Sequence, residues 1–209
     1  MLALDHLVFT SADLPAATKW MSQALGLPPT GAGRHAAMGT YNRLWRLGHA
    51  YLELIAIDPE APPPPHARWY GLDGALPETP PALATWVART RDLDAALAAA
   101  PRDPGTVHTL SRDDLRWRLT VPADGWPLWS GAYPSLIEWE EGSLPPSESL
   151  PDQGLQLSAF RVDGPAALFA ELVALGATEA ISLGREAPRP VLHLTLTSPE
   201  TGRVHLASA

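Results

Sequence analysis

The sequence predicts an α+β fold made of repeated βαβββ modules. Two modules form a curved, open eight-stranded cup with helices on its convex side, and a third βαβββ-like module follows. LDHLVFTSADLPAA at residues 4–17 and LATWVARTRDLDAA at residues 83–96 both place a strand-like apolar run before a polar pair and Asp-Leu-x-Ala-Ala. LQLSAFRVDGPAALFAEL at residues 155–172 is a looser copy. Such internal repeats indicate one supersecondary unit that is used several times.

The first copy begins with an apolar strand at residues 4–10, and either Ser11 or Asp13 can cap the helix that follows. Gly26 indicates the end of this helix. Two further strands are predicted at residues 41–48 and 50–57. The apolar residues of the helix recur at helical spacing, as Leu14, Ala17, Met21 and Leu25.

The second and third copies repeat this order of elements. One helix is predicted from Asp92, and another after Gly164-Pro165 with Gly176 as its end. Strand patterns follow each helix, at residues 106–111, 115–121 and 134–140 in the second copy and at residues 178–183, 190–197 and 202–207 in the third.

Two Pro- and Gly-rich stretches divide the chain into three modules. The predicted boundaries are module 1 at residues 1–57, a Pro-rich linker at 58–81, module 2 at 82–142, a second linker at 143–154, and module 3 at 155–209. Because each helix covers only one face of its sheet, the other face has to meet a second module or a ligand. Sequence neighbours pair more often, which favours modules 1 and 2, with modules 1 and 3 as the alternative. Module 3 then packs on the other two or pairs with a second chain, so a homodimer is expected.

The composition excludes several classes of function. The 209 residues carry a formal net charge of −8, which argues against nucleic acid or an anionic membrane as a partner. No cysteine is present, which excludes disulfides, thiolate nucleophiles and iron–sulfur clusters. No stretch has the pattern of a signal peptide or the ~20 apolar residues of a membrane span, so a cytoplasmic protein is expected. The expected partner is a small-molecule ligand or substrate.

Polar residues interrupt three of the apolar strands, at His6, Glu53 and Glu138. Side chains alternate between the two faces of a strand. If Leu7 and the leucines beside Glu53 pack against helices, His6 and Glu53 face the inside of the cup. If Ile137 likewise points outward, Glu138 points inward. The alternation therefore predicts that all three polar residues meet on the concave side.

The βαβββ repeat, with LDHLVFTSADLPAATKWMSQALGL near its start and LTSPETGRVHLAS near its end, resembles the vicinal oxygen chelate superfamily. That superfamily contains glyoxalases, dioxygenases and bleomycin-resistance proteins. GRHAAMGTYNRLW, AYLELIAIDPE and LIEW resemble more narrowly its glyoxalase-like domain group, whose members mostly lack an assigned reaction.

The resemblance implies a divalent metal such as Zn, Mn, Fe or Ni, held by residues of two modules. Carried onto this chain, its ligands are His6, Glu53 and Glu138, while Thr85 occupies the fourth position. If modules 1 and 3 pair instead, the set becomes His6, Glu53, Gln156 and His205. Such a metal polarises a carbonyl or enolate while a free carboxylate acts as base. Without a metal, buried carboxylates need partners such as Arg89.

The predicted ligand pocket is lined by His6, Tyr51, Glu53, Thr85, Arg89, Trp126, Trp129 and Glu138. The two tryptophans belong to DGWPLWSGAYP at residues 124–134, which has the composition of a loop over the mouth of the cup. GRHAAMGTYN at residues 33–42 has the glycines of a second loop. There, His35 either acts as an acid or base at the rim or satisfies the backbone of a turn. Glu138 and His35 are the catalytic candidates.

Two functions remain open from the sequence. One is a metal-dependent lyase, isomerase or dioxygenase that acts on a small carbonyl or diol compound. The other is a metal-free protein that binds a small molecule, in the manner of the drug-sequestering members. In that second case the carboxylates face a cationic ligand and the tryptophans stack on it. Thr85 at a ligand position favours the second function, and the predicted convergence of His6, Glu53 and Glu138 favours the first.

Overall fold

A computed structural model describes residues 1–208, and Ala209, the last residue of the predicted third module, lies outside them. The first module contains β1 (Ala3–Thr10), α1 (Leu14–Leu25), β2 (Gly31–His35), β3 (Thr40–Leu47) and β4 (Ala50–Ile57). The second contains β5 (Ala82–Arg89), α2 (Leu93–Ala99), β6 (Thr106–Arg112), β7 (Leu115–Val121) and β8 (Ser135–Trp139). A short helix, α3 (Pro146–Ser149), leads to β9 (Gln156–Gly164), α4 (Ala166–Ala174), β10 (Ser182–Glu186), β11 (Val191–Ser198) and β12 (Gly202–Ala207).

Eight strands form one curved, nearly closed sheet in the order β2-β3-β4-β1-β5-β8-β7-β6. In each half the first strand pairs in parallel with the last, β1 with β4 and β5 with β8. The halves join where β1 and β5 run antiparallel. Modules 1 and 2 therefore build the cup together, which confirms the predicted α+β fold with its eight-stranded cup.

The helices of the cup begin and end where their capping residues place them. The carboxylate of Asp13 accepts a hydrogen bond from the N–H of Ala16 at 2.8 Å, and that of Asp92 accepts one from Ala95 at 2.9 Å. Helix α1 ends at Gly26, whose φ of 68° lies in the left-handed region that glycine tolerates. No helix within residues 1–208 is both long and apolar enough to cross a membrane.

Strands β1 and β4 divide their side chains between the two faces of the sheet as predicted. Leu7 and Leu52 are buried in the core on the convex side, where the apolar stripe of α1 also packs. His6, Tyr51 and Glu53 line a cavity on the concave side. The prediction that His6 and Glu53 converge inside the cup is confirmed.

Strand β8 faces the opposite way from the prediction. Its parallel register places Leu136 beside Ala88, and both belong to the convex core. Ile137 and Trp139 therefore point into the cup, and Glu138 points away from the cavity. The expected inward orientation of Glu138 is wrong because Leu136, rather than Ile137, supplies the convex apolar contact. Alternation fixes which residues share a face, but not which of the two faces lies inside.

A β-bulge near the start of β1 brings two adjacent side chains to the same side of the sheet. Leu4 pairs with Ala88 and His6 pairs with Val87, so Asp5 has no partner residue on β5. Adjacent residues of a regular strand point to opposite faces, and a bulge re-aims one of them. The Asp5 carboxylate consequently reaches the imidazole of His6.

The third module has the predicted order of elements but a different strand pairing. Its sheet runs β10-β9-β11-β12, so β9 pairs in parallel with β10 directly after the helix rather than with the last strand. This sheet packs on the convex side of the cup, where Phe160 meets Trp86 edge-on at 5.7 Å. The hydroxyl of Ser198 donates a hydrogen bond to the carbonyl of Leu25. The packing of module 3 on the other two modules follows one of the two arrangements that the sequence left open.

Two segments predicted as loops or linkers contribute structure to the cup. GRHAAMGTYN is not simply a loop, because Gly31–His35 forms the edge strand β2 and pairs with β3. Between β4 and β5, the Pro-rich linker makes a 3₁₀ turn at Trp69–Gly71 that buries Trp69 and Tyr70 in the concave core. The linker therefore fills space on the concave side of the sheet that the strands of modules 1 and 2 alone leave open.

Candidate functional site

A small cavity of about 20 Å³, close to the size of one water molecule, lies on the concave side of the eight-stranded sheet. One wall, from module 1, is polar, and the other wall, from module 2, is aliphatic and aromatic. The polar wall contains His6, His35, Asn42, Tyr51 and Glu53. The apolar wall contains Trp117, Leu119, Ile137 and Trp139. The lining is completed by Leu44 of β3, Trp69 and Tyr70 of the linker, Arg112 of β6 and Pro146 of α3.

The imidazole of His6 is oriented by its neighbour in the sequence. Its Nδ1 lies 2.7 Å from a carboxylate oxygen of Asp5, and its ring stacks on Tyr51 with ring centroids 4.5 Å apart. The second Asp5 oxygen accepts a hydrogen bond from the indole N–H of Trp139 at 2.9 Å. Because an ionised carboxylate only accepts hydrogen bonds, it holds the hydrogen of His6 on Nδ1. The opposite nitrogen, Nε2, is left free for a ligand.

Glu53 and Asn42 form a second buried polar pair beside His6. The side-chain amide of Asn42 donates to one oxygen of Glu53 at 2.6 Å, and the other oxygen of Glu53 lies 3.5 Å from Nε2 of His6. Within residues 1–208, Nε2 of His6, Oδ1 of Asn42 and Nε1 of Trp69 are buried without a hydrogen-bond partner. A buried polar atom without a partner costs about 1–3 kcal/mol. A ligand that satisfies these three atoms recovers that cost.

His35 lies in the cavity with both ring nitrogens engaged. Its Nδ1 lies 3.1 Å from the hydroxyl of Thr40, and its Nε2 lies 3.4 Å from a guanidinium nitrogen of Arg112. Arginine cannot accept a hydrogen bond, so Nε2 is the acceptor and Nδ1 carries the hydrogen. Burial, together with the positive charge of Arg112 and the nearby His6, lowers the pKa of His35 to about 3. His35 is therefore neutral near pH 7, and its geometry suits a positioning role.

Two buried tyrosines stand near the carboxylates of the polar wall. Burial, followed by the charges of Asp5 and Glu53, raises the pKa of Tyr51 well above 10. Burial and the same two carboxylates raise the pKa of Tyr70 in the same direction. Both phenols therefore keep their hydrogens and serve the cavity as potential hydrogen-bond donors. Tyr70 has a φ of 60°, an uncommon value for a bulky residue that the surrounding packing has to hold in place.

Glu138, a predicted catalytic and metal-binding residue, is not brought to the cavity. One of its oxygens accepts from the backbone N–H of Leu93 at the start of α2, and the other accepts from Arg118 at 3.0 Å. It lines a wide outer groove that shares Trp117 and Trp139 with the cavity. Its position gives no support to the predicted catalytic role.

Four other residues predicted to line the pocket lie elsewhere or face it only indirectly. Thr85 is on the concave face, but its hydroxyl donates to the carbonyl of Gly131. Arg89 lies in the outer groove, between Asp5 and Glu148.

The two loop tryptophans are also outside the cavity. Trp126 is 55% exposed and covers Gly71 and Gly74 of the linker from outside. Trp129 donates its indole N–H to Glu171 of α4, where it joins module 2 to module 3. The expectation that these tryptophans line the ligand pocket is wrong, because their indoles pack on the linker and on α4.

The residues of the cup do not fit the four-ligand metal centre that the resemblance implies. His6 and Glu53 are in place, but the opposite wall offers Ile137 and Trp139, neither of which is a ligand for the predicted metals. Gln156 and His205 of the alternative set lie on the separate four-stranded sheet, where His205 contacts Thr195. In the part of the chain that the structure describes, no three His, Asp or Glu side chains are grouped to hold a metal ion.

Sequence reasoning missed several residues that shape the cavity. Asp5 was not predicted because regular alternation points its side chain to the other face of the sheet from His6. Only the bulge brings both side chains to the same face. Trp69 and Tyr70 were assigned to a linker, although adjacent aromatics in a Pro-rich stretch are a signal of burial. Arg112 gave no sequence signal, because its role depends on how closely β6 approaches β2. These are the two edge strands of the eight-stranded sheet, and the gap between them is the seam of the cup.

A curved sheet built from two βαβββ modules is the architecture of the vicinal oxygen chelate superfamily. The family model for the glyoxalase-like domain matches residues 4–176. The chain therefore belongs to the glyoxalase-like domain family, within that superfamily. No curated protein matches the chain in sequence.

Solved structures are similar in fold. A hypothetical protein from Staphylococcus aureus is 15% identical with a TM-score of 0.60, over 99% of this chain and 85% of that chain. Methylmalonyl-CoA epimerase from Streptomyces coelicolor, in complex with 2-nitronate-propionyl-CoA, is 16% identical with a TM-score of 0.46, over 66% of this chain and 98% of that one. The Mycobacterium tuberculosis epimerase is 20% identical with a TM-score of 0.41, over 66% and 87%.

Proposed function

We propose that this protein binds a small, partly apolar organic molecule inside the cup and does so without a metal ion. One observation carries the proposal: three buried polar atoms without protein partners, on His6, Asn42 and Trp69, belong to side chains that line the same cavity. Convergent polar groups in an otherwise apolar cavity are typical of ligand sites. The cavity as it stands has room for about one water, so a flat ring enters only when the aromatic side chains move apart, and its polar substituents then meet the unpaired atoms.

The donor set supports binding without a metal. A histidine and a glutamate from one wall leave at least two positions of a tetrahedral or octahedral metal facing hydrocarbon. On the other wall, Ile137 and indole rings stand where further metal ligands would be needed, which favours an organic ligand.

Titration calorimetry with benzamide, a single-ring probe with both a donor and an acceptor, tests the proposal. Binding is expected, and EDTA should leave it unchanged. Ile137→Phe extends a side chain into the cavity and should abolish binding, whereas Ile57→Phe, at the exposed end of β4, should not. Protein purified without a histidine tag should carry no stoichiometric metal. A metal that is retained, is required for binding and is lost in Glu53→Gln would establish the metal-dependent function instead.

A second candidate function is metal-free proton transfer on a small carbonyl compound. It is favoured by the Asp5–His6 contact, which leaves Nε2 unpaired beside the cavity. An oriented imidazole of this kind is a suitable general base. Deuterium uptake from D₂O next to the carbonyl of phenylpyruvate, followed by NMR, should exceed the uncatalysed rate and be lost in His6→Gln. Exchange at the uncatalysed rate in the unmodified protein would remove this candidate.

A further inference from the structure

Arg112 reaches the cavity from the far edge of the sheet. It ends β6, and its side chain crosses the seam to lie against Gly33 of β2. A Cβ at residue 33 would stand 2.5 Å from Nη1 and 2.8 Å from Cζ of Arg112. The absence of a side chain at Gly33 therefore provides the space in which the guanidinium lies beside His35.

The guanidinium of Arg112 has no carboxylate partner among residues 1–208. Arg89 and Arg118, in the outer groove, both pair with acidic side chains. The hydrogen bond of Arg112 to the neutral ring of His35 uses one of its five N–H groups. Among residues 1–208, Arg112 is the arginine that lines the cavity, and its remaining N–H groups are available to an acceptor.

The unpaired donors and acceptors of the cavity have different neighbours. Arg112 and the indole of Trp69 both adjoin His35. Nη1 of Arg112 lies 3.4 Å from Nε2 of His35, and the ring centroids of Trp69 and His35 are 5.0 Å apart. Both present N–H donors, and that of Trp69 is buried and unpaired. The unpaired acceptors, Nε2 of His6 and Oδ1 of Asn42, adjoin Glu53 instead. A complementary ligand carries both an anionic acceptor and a hydrogen-bond donor.

We infer that the ligand is a small organic acid whose carboxylate binds Arg112 and Trp69, and whose hydroxyl or amine donates to His6 and Asn42. The inference rests on the proposed binding function and adds the ligand class. The planar fork of a guanidinium matches the two oxygens of a carboxylate. An aromatic or branched body of the acid packs on Trp117, Trp139 and Ile137. The metal-free function predicted from the sequence has a cationic ligand. The carboxylate of Glu53 attracts such a ligand, but the positive charge of Arg112 in the same cavity repels it.

Three probes with the same ring and hydroxyl separate these classes: mandelate, mandelamide and 2-amino-1-phenylethanol. They carry a carboxylate, a neutral amide and an ammonium group. The readouts are quenching of tryptophan fluorescence and titration calorimetry at fixed ionic strength. Mandelate should bind at least about tenfold more tightly than mandelamide, as expected for a charge-assisted pair.

Substitutions assign the preference to Arg112. Arg112→Gln should remove the advantage of mandelate over mandelamide, and Arg112→Lys should keep part of it because the charge remains while the fork is lost. Arg116→Gln is the matched control, since Arg116 lies near Glu140 on an exposed face. Circular dichroism checks that each variant is folded.

The outcomes separate this inference from the proposed function. An unchanged mandelate preference in Arg112→Gln, or tighter binding of the ammonium probe, overturns the organic-acid inference and leaves the binding function in place. Failure of all three probes to bind overturns the inference and also counts against the binding function.

Discussion

The carboxylate of Asp5 lies 2.7 Å from Nδ1 of His6, although the two residues are adjacent in a β-strand. In a regular strand these side chains point to opposite faces of the sheet. The bulge between Leu4 and His6 removes that opposition. It gives the cup a histidine that is held at one nitrogen and free at the other, and the indole of Trp139 secures the same carboxylate from the facing wall.

Asp5→Asn should destabilise the protein by about 1–3 kcal/mol. The carboxylate of Asp5 accepts from the ring N–H groups of His6 and Trp139, and in the variant one of these two groups faces the amide N–H₂ instead. The free energy of urea unfolding measures the change, and ¹⁵N NMR of His6 should show loss of the Nδ1–H tautomer. Asp152→Asn, in an exposed loop, is the control and should change stability by less than about 0.5 kcal/mol. An unchanged His6 tautomer in Asp5→Asn would contradict the assigned orienting role.

Gly33→Ala should weaken the binding of mandelate about as much as Arg112→Gln does, with little effect on folding. The added Cβ occupies the space of the guanidinium, and the flexible arginine can move away into solvent. Ala32→Ser, at the neighbouring exposed position of β2, should leave binding unchanged. Calorimetric titration compares the variants. Tight mandelate binding by Gly33→Ala would mean that the position of Arg112 against Gly33 does not matter for the ligand.

Gly131→Ala should cost more than about 2 kcal/mol of stability, because it combines backbone strain with a direct clash. Gly131 has a φ of 92°, and its Cβ would stand 1.9 Å from the carbonyl oxygen of Ala84. Gly142→Ala separates these effects, since Gly142 has a similar φ of 88° and nothing within 4 Å of the added atom. Thermal and urea unfolding should rank Gly131→Ala well below Gly142→Ala. Equal losses would show that strain alone sets the cost.

The buried His35 should make the protein less stable as the pH falls below 6.5. Its pKa is about 3 when folded and has the ordinary value of 6.5 when unfolded, so between these pH values only the unfolded chain binds the proton. Stability therefore rises with pH across this window, by on the order of 5 kcal/mol if His35 acts alone.

Urea unfolding of the unmodified protein and of His35→Gln at several pH values between 4 and 7 measures this contribution. The variant should show the weaker dependence on pH, while His49→Gln, in an exposed turn, should follow the unmodified protein. An NMR titration of the His35 ring with a midpoint near pH 6.5 would contradict the assigned environment.

Local signals in the sequence were sufficient for most of the elements. Asp92 and Asp13, the latter one of two predicted candidates, cap their helices, and the alternation in β1 and β4 places His6 and Glu53 inside the cup. These features depend on residues a few positions apart, whose hydrogen bonds and periodicity are set within one element. The pairing of modules 1 and 2 was favoured because they are neighbours in the sequence, with modules 1 and 3 as the alternative.

The sequence by itself determined that a strand carries alternating faces, that His6 and Glu53 share one of them, and that the chain builds paired βαβββ modules. Only the tertiary structure decided that Glu138 turns away from the cavity, that Asp5 joins His6, and that Arg112 crosses to Gly33. Each of these depends on a register, a bulge or a seam between strands distant in the chain. Their energies come from packing that no single segment contains, so the composition of the cavity was settled by assembly of the sheet.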